Sequence, residues 1–521
     1  MITEPRADVV IVGGGHNALV AAAYLARAGR RVRVLERLDH VGGAAVSAHA
    51  FDGVDARLSR YSYLVSLLPG RIVDDLGVRV RLARRRYSSY TPDPANGGRT
   101  GLLIGPEPTF DAVGAAGDAE AFAEFYRRAR IVTTRLWPTM TAPLQTRAEA
   151  RKYVLAEGDP HAEQTWRAMV DRPIGEAITE AVDNDLVRGV MATDALIGTF
   201  ARVDDPALQQ NICFLYHLLG GGTGDWDVPI GGMGAVSGAL AGAAAGFGAE
   251  ITTAAVVYAI DPDGEVRYER DGRQHRIAAD TILAGVTPTV LGQLVGDSRP
   301  VSSAPGAQVK VNLMLRRLPR LRDQTVTPEQ AFGGTFHINE MFSQLDAAYS
   351  QAAGGAIPDP LPCEIYCHSL TDPTILSDEL RAAGAQTLTV FGLHAPHSLT
   401  EGADPDRLRD DLTSAVLRSL NSVLAEPIAD VLMEDASGRS CVEAKTTLDL
   451  EETLGMTAGN IFHGALDWPF VEDDAPLDTP ARRWGVATEH DRILLCGSGS
   501  RRGGAVSGIG GHNAAMAVLE S

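Results

Sequence analysis

A mixed α/β fold, in which a Rossmann-like lobe is joined to a discontinuous α+β lobe, is what this sequence predicts, and three observations carry the prediction. The β-branched run at residues 8–12 enters Gly13, Gly14 and Gly15 and continues into strong helix formers at 19–28, the order strand, turn, helix. Glycine-rich turns beside strand-like and helix-like runs return at 229–260 and 492–519. At 521 residues the chain is also too long for one core, because domains usually hold roughly 100–200 residues.

Composition narrows the class. Hydrophobic residues make up 45% and charged residues 22%, the balance of an ordinary globular protein rather than a disordered or fibrous one. The net charge of -19 argues against nucleic acid, since phosphate binding needs a cationic surface. It argues equally against docking on anionic lipid by charge alone, which leaves small or neutral partners and keeps peripheral membrane contact open. The longest weakly apolar stretch, 238–257, is mostly Ala, Gly and Thr around Glu250, too polar to span a membrane. The N-terminus lacks the basic start and apolar core of a secretory signal, so a cytoplasmic location is expected. The five cysteines are scattered; Cys363 and Cys367 make a poor zinc signature and read as small strand or loop residues, so no metal is implied. What stands out is 55 glycines, about half again the usual share of about 7%.

The first glycine cluster has a specific form. Gly13-x-Gly15-x-x-Ala18 is a dinucleotide-binding fingerprint: the first glycine makes the tight turn, the second lets a diphosphate approach the backbone, and the third position must be small for the helix to pack on the strand. Free amides and the positive dipole end of the helix, at His16 and Asn17, then face the diphosphate. A second strand at 31–35 ends at Glu36, 23 residues after Gly13, where a carboxylate accepts from ribose hydroxyls and disfavours a 2′-phosphate. Arg37 follows, and then Gly42-Gly43-Ala44. A simple NAD site has no need of paired glycines there, whereas flavoproteins of the amine oxidase and desaturase kind use them where the chain passes beneath the FAD diphosphate. FAD is therefore expected.

Two remote clusters extend the expected site. Gly231-Gly232-Met233 precedes a helix at 235–245 and a strand at 250–260 that contains Val257. Near the end, a strand at 492–496 enters Gly497-Ser498, and a loop through Gly508 and Ile509 opens the last helix at Gly511-His512-Asn513-Ala514, an echo of Gly15-His16-Asn17-Ala18. The first helix N-terminus is assigned to the diphosphate and the last to the C2 carbonyl and N1 of an isoalloxazine, where negative charge gathers on reduction.

Together with Gly459-Asn460-Ile461-Phe462-His463-Gly464, these motifs resemble, in order, those of the FAD-dependent phytoene desaturase and carotenoid oxidoreductase superfamily. The branch resembled is that of β-carotene ketolase-type enzymes and pyridine nucleotide-disulphide oxidoreductase domain protein two. The resemblance implies a non-covalent FAD, a two-lobed flavoprotein fold like that of p-hydroxybenzoate hydroxylase and redox chemistry on an apolar substrate. The chain departs from it at Ser500-Arg501-Arg502-Gly503-Gly504, where relatives often carry His-Pro before the paired glycines. In such a fold the FAD-binding domain is discontinuous, here 1–110, 226–300 and 485–521, with 111–225 and 301–484 forming the substrate-binding domain. Helices are expected at 119–130, 173–196 and 404–425, and strands at 308–315 and 385–393. Residues 308–315 alternate polar with apolar, as in a sheet with one solvated face, and the Pro-rich 357–362 reads as a surface connection.

Flavin carries the electrons, so the protein has to place a C–H or N–H bond over N5 and manage one proton. The expected activity is that of a desaturase or dehydrogenase that takes hydride from an apolar or amphipathic small molecule, with O2 or another acceptor restoring the flavin. Lys310, one of three lysines beside 44 arginines, resembles the lysine that holds water near N5 in amine oxidases, so an amine oxidase-like activity is the alternative. Lys310 also reads as a solvent-facing strand lysine. Asp225 and Trp226 are expected to border the flavin, and His512 and Asp225 join Lys310 as catalytic candidates. His217, His337 and Glu340 either line the cavity or pack in the fold; Arg501 and Arg502 either stabilise reduced flavin or an anionic substrate, or lie on the surface. A third reading is a non-catalytic flavin-binding interaction protein that offers 220–224 as a contact surface.

Overall fold

The computed structural model describes residues 1–297 and 304–521, so the expected domain boundary at 300/301 lies outside the described residues. Strand Ala7–Val12 is buried at every position but Asp8, and a strand that apolar must be flanked on both sides. It pairs in parallel with Val32–Leu35 on one side and with the end of the long strand Arg273–Ala284 on the other. Glu250–Thr252 and Ile493–Leu495 extend the sheet outward, again in parallel. Helices His16–Arg27, Met233–Gly246 and Ile509–Leu519 supply the apolar layer, with Leu19, Val236, Leu240 and Ala515 in one cluster. The single strand expected at 250–260 is two, because Ala254 turns the backbone through a φ of 53° and Val256–Asp261 leaves the parallel sheet to pair antiparallel with Glu265–Arg270.

The second sheet has seven strands in the order Val442–Lys445, Gln308–Leu315, Gln386–Leu393, Cys363–Tyr366, Thr335–Ile338, Ser89–Pro92, Gly101–Ile104. Two expectations change here. The last two strands, assigned to the FAD-binding segment 1–110, pair in this sheet, Thr335 opposite Ser89 and Tyr90 opposite Leu103. The alternating strand Gln308–Leu315 has no solvated face, since all eight residues are buried. Its apolar side enters the core with Ile365 and Val390. Its polar side chains reach backbone carbonyls instead of water: Gln308 donates to Gly459 and Asn312 to Arg60.

A helical layer between about 110 and 222 packs around Trp166, Phe214 and Val187. The helix expected over 173–196 is two, Ile174–Ala181 and Asp185–Ala192, because the Asn184 side chain accepts from the amides of Leu186 and Val187 and so starts a second helix. Among the described residues, no helix is long and apolar enough to cross a membrane.

Candidate active site

One cavity of about 940 Å³ runs from the first glycine turn to the second sheet. At its nucleotide end it is lined by Gly13, Gly15, His16, Asn17, Ala18, Glu36, Arg37, Gly43, Ala44 and Val257, and by Gly497 and Ser498. Gly15 has nothing within 4 Å of where a Cβ would stand, so a side chain here would project into the cavity rather than into protein. The buried carboxylate of Glu36 accepts from the amides of Gly14 at 2.6 Å and Leu38 at 2.8 Å, which pins its position and leaves lone pairs for ribose hydroxyls. Asn17 donates to Ser498 and to the Gly503 carbonyl, while its own Oδ1 is buried without a partner. Burial holds the His16 ring neutral, down to about 4, with Nε2 against the Ala505 carbonyl. An open cradle at Gly15 and a fixed carboxylate at Glu36 fit the diphosphate and ribose of a dinucleotide.

At the far end, the sheet register assembles a row. Lys310 lies opposite Phe391, Phe391 opposite Glu364, and Glu364 opposite His337, and all four line the cavity. Cross-strand partners share a face, so the row forms a floor with a base at one end and an acid beside an imidazole at the other. Lys310 is not solvent-facing: Nζ donates to the carbonyls of Ser59 at 2.9 Å and Tyr61 at 2.6 Å and lies 4.9 Å from the Tyr63 ring centroid. Burial outweighs the attraction of Glu443 and brings its pKa down to about 7. Tyr63 sits 4.8 Å from Tyr366, whose hydroxyl donates to Glu364 at 2.5 Å. Burial raises Glu364 and pushes Glu340 well above the ordinary carboxyl range; mutual repulsion adds to the rise of Glu340.

Other expectations are corrected. Gly231, Gly232 and Met233 do not line the cavity. Their amides are spent on protein groups, Gly231 on Asp372 and Met233 on Ser59, and a Cβ at Gly232 would meet Ser47 at 2.5 Å. Gly42 donates to the Gly14 carbonyl and holds its loop against the first turn, leaving the lining to Gly43. The cavity reaches Ala505 and Val506 and stops short of Gly508, Ile509, His512 and Asn513. His512 is not a catalytic group here: its ring stands edge-on to Tyr24 and Trp484 in the core, held neutral by burial. Asn513 donates to the Met140 carbonyl. Arg502 is buried, neither on the surface nor in the cavity, and donates to the carbonyls of Thr139, Ala142 and Trp484; Arg501 holds those of Trp468 and Phe470. Asp225 stands at the half-exposed rim, paired with Arg84 at 2.8 Å, beside Trp226, which donates to the His217 carbonyl.

Sequence reasoning passed over Tyr63, Asp194, Glu364 and Tyr366, all of which line the cavity, as does His463 of the motif at 459–464. A signal for Glu364 was present: in Cys363-Glu364-Ile365-Tyr366-Cys367 the acid and the tyrosine alternate with apolar residues, so the polar positions share one face.

Residues 11–71 match the family model of the NAD(P)-binding Rossmann-like domain. An uncharacterized Mycobacterium tuberculosis protein, Rv0897c, is 68% identical over 98% of this chain and 97% of its own. Mouse pyridine nucleotide-disulfide oxidoreductase domain-containing protein 2 is 28% identical over 99% of this chain and 94% of its own. Among solved structures, a putrescine oxidase variant superposes with a TM-score of 0.58 over 99% of each chain at 16% identity, a likeness of fold. The nucleotide-binding geometry and these matches agree: the chain belongs to one family with mycobacterial Rv0897c and carries a Rossmann-like NAD(P)-binding domain in its first 71 residues.

Proposed function

We propose that this protein is an FAD-dependent oxidoreductase, a dehydrogenase or desaturase acting on a C–H bond of an apolar small molecule, with O2 or another acceptor taking the electrons onward. The observation that carries the reading is the single cavity that joins a dinucleotide cradle to a buried, mostly apolar chamber on the second sheet. FAD, when bound, supplies the hydride acceptor at its isoalloxazine ring. Glu36 receives the ribose, and the backbone at Gly13–Gly15 and Gly43 leaves room for the diphosphate. Phe391, Tyr63 and Tyr366 orient an apolar substrate and exclude water, and Lys310 Nζ, close to half-protonated near neutral pH, takes up or returns a proton at the chamber floor. On this reading the cofactor lobe comprises 226–297, 485–521 and 1–110 without the strands at 89–104, and the other described residues form the substrate lobe. The desaturase branch, rather than another branch of the superfamily, and a cytoplasmic location belong to the same proposal.

A second reading, an amine oxidase-like enzyme that uses O2, is favoured by the buried Lys310 amine and by the putrescine oxidase-like fold. Purified protein should carry flavin absorbance or gain it on reconstitution with FAD, and an anaerobic panel of apolar alcohols, alkenes and amines should bleach it. Absence of flavin after reconstitution sinks both readings; bleaching by amines alone selects the second.

A further inference from the structure

We propose that His337, Glu340 and Glu364 form a binding site for one divalent transition-metal cation of the Zn2+ or Mn2+ type in the far wall of the cavity. One ligand atom from each of the three lies within 4.8 Å of the others, and all three residues are buried. The strand register puts His337 directly opposite Glu364. Asn339, at a φ of 59°, then turns the chain before Glu340. Metal–ligand bonds of about 2.1 Å in a tetrahedral shell put donors roughly 3.4 Å apart, so closure on an ion needs shifts of about an ångström.

A second observation points to a missing cation. Both carboxylate oxygens of Glu340 are buried and go unpaired, the nearby Thr193 hydroxyl being turned to Glu364 at 3.3 Å. Arg85 attracts Glu364 from a distance but does not pair with Glu340: its guanidinium donates to the Trp226 carbonyl and the Thr335 hydroxyl and lies 5.8 Å from the Tyr366 ring centroid. Among the described residues, no lysine or arginine forms an ion pair with either glutamate, and the nearest cationic candidate is His337 itself, at 3.9 Å from Glu364.

The groups around the three are arranged as those around a metal shell are. Thr91 Oγ1 meets His337 Nδ1 at 3.2 Å, so a proton on Nδ1 is donated to Thr91 and the Nε2 lone pair is left for the ion. Tyr366 and Thr193 each donate to Glu364 and fix its plane. One imidazole nitrogen with two carboxylates suits Zn2+ or Mn2+ better than the all-oxygen shell that Ca2+ prefers or the thiolates that soft ions select. His337 and Glu364 line the cavity, so the ion would present at least one open position to a water or an oxygen donor of a substrate. The assignment does not depend on which cofactor the glycine turns hold.

The test is calorimetric titration of the full chain, stripped with chelator, with Zn2+ and with Mn2+ separately, beside metal analysis after gel filtration. One equivalent per chain is expected, weakened at least tenfold in Glu340→Gln, which keeps the side-chain size and removes a carboxylate that could ligate the ion. His40→Ala, which removes an exposed His–Asp pair able to hold metal adventitiously, should bind as wild type does. X-ray absorption on the wild-type Zn2+ form, independent of any variant, should show one imidazole with oxygen neighbours. No saturable binding of either ion, equal binding in Glu340→Gln, or loss in His40→Ala overturns the site, as does a shell with sulfur or with more than one imidazole.

Discussion

Replacing Lys310 by methionine tests the assignment of a buried amine in the cavity floor, and its magnitude follows from the burial. Nζ has two carbonyl acceptors, no carboxylate in contact, and a pKa near 7, against about 10.4 for an unperturbed lysine. The folded chain therefore binds this proton more weakly than the unfolded chain does. Between the two values the unfolded state holds the extra proton, so stability rises with pH, is fully present above the unfolded value, and is lost as pH falls through the folded one. At about 1.4 kcal/mol per pH unit over the steep part of that window, the single group contributes roughly 2.5 kcal/mol between about pH 6 and pH 9. Other groups titrate in this range, so the quantity to measure is the difference between wild type and Lys310→Met in unfolding free energy by denaturant titration at several pH values. Wild type should gain on the variant by that amount as pH rises. A difference that stays within about 0.5 kcal/mol across the range would refute the buried neutral amine, because a solvated lysine titrates alike in both states. If turnover is found, its pH profile should also carry a limb near neutrality that Lys310→Met lacks.

Three further substitutions separate ligand contacts from packing contacts. Gly15→Ala points a methyl into open cavity, so it should leave unfolding within about 0.5 kcal/mol of wild type while lowering flavin content of the purified or reconstituted protein at least tenfold. Gly511→Ala should do the reverse in order of cause: its Cβ would fall 1.8 Å from the Asn17 carbonyl oxygen where the first and last helices cross, and the forced separation should cost about 2 kcal/mol or more in thermal or denaturant unfolding. Arg502→Met strips the donor from three buried carbonyls and should destabilise by about 3 kcal/mol or more, with any flavin spectrum unchanged because the guanidinium does not reach the cavity.

How much of this was legible in the sequence depended on how far away the deciding partner lay. The strand Ala7–Val12, the turn at Gly13–Gly15 and the helix His16–Arg27 are set by neighbours in sequence, by apolar periodicity and by a glycine whose φ of 93° no other residue adopts easily, and they read correctly. Lys310 could not be read in the same way. Its alternating strand looks like one with a wet face until residues 59–61, some 250 positions earlier, cover that face and offer their carbonyls to it. A non-local partner likewise hid the strands at 89–104 in the second sheet, since Ser89–Pro92 joins it only by pairing with Thr335–Ile338.

The glycines show most sharply why a motif read alone gives only part of a site. A glycine reports that something comes too close for a Cβ, and the sequence does not say what. At Gly15 the space beyond is cavity; at Gly511 it is the Asn17 carbonyl, at Gly497 the Gly285 carbonyl, and at Gly232 the Ser47 hydroxyl. All four had been read as contacts of one long ligand, yet one faces open space and three face protein, though Gly497 still borders the cavity with its other side. The protein-facing glycines still shape the site, because they let the first and last helices and the strand ends close to backbone contact, and that closeness brings Asn17 within reach of Ser498. The chemistry-bearing row Lys310, Phe391, Glu364, His337 left no comparable mark, since its members lie 27 residues apart along the chain, far beyond any helix or strand period, and meet only through strand register. A reading that weighs residue types within strands as well as glycines within turns would have found Glu364 between its two cysteines, and with it the acidic end of the cavity.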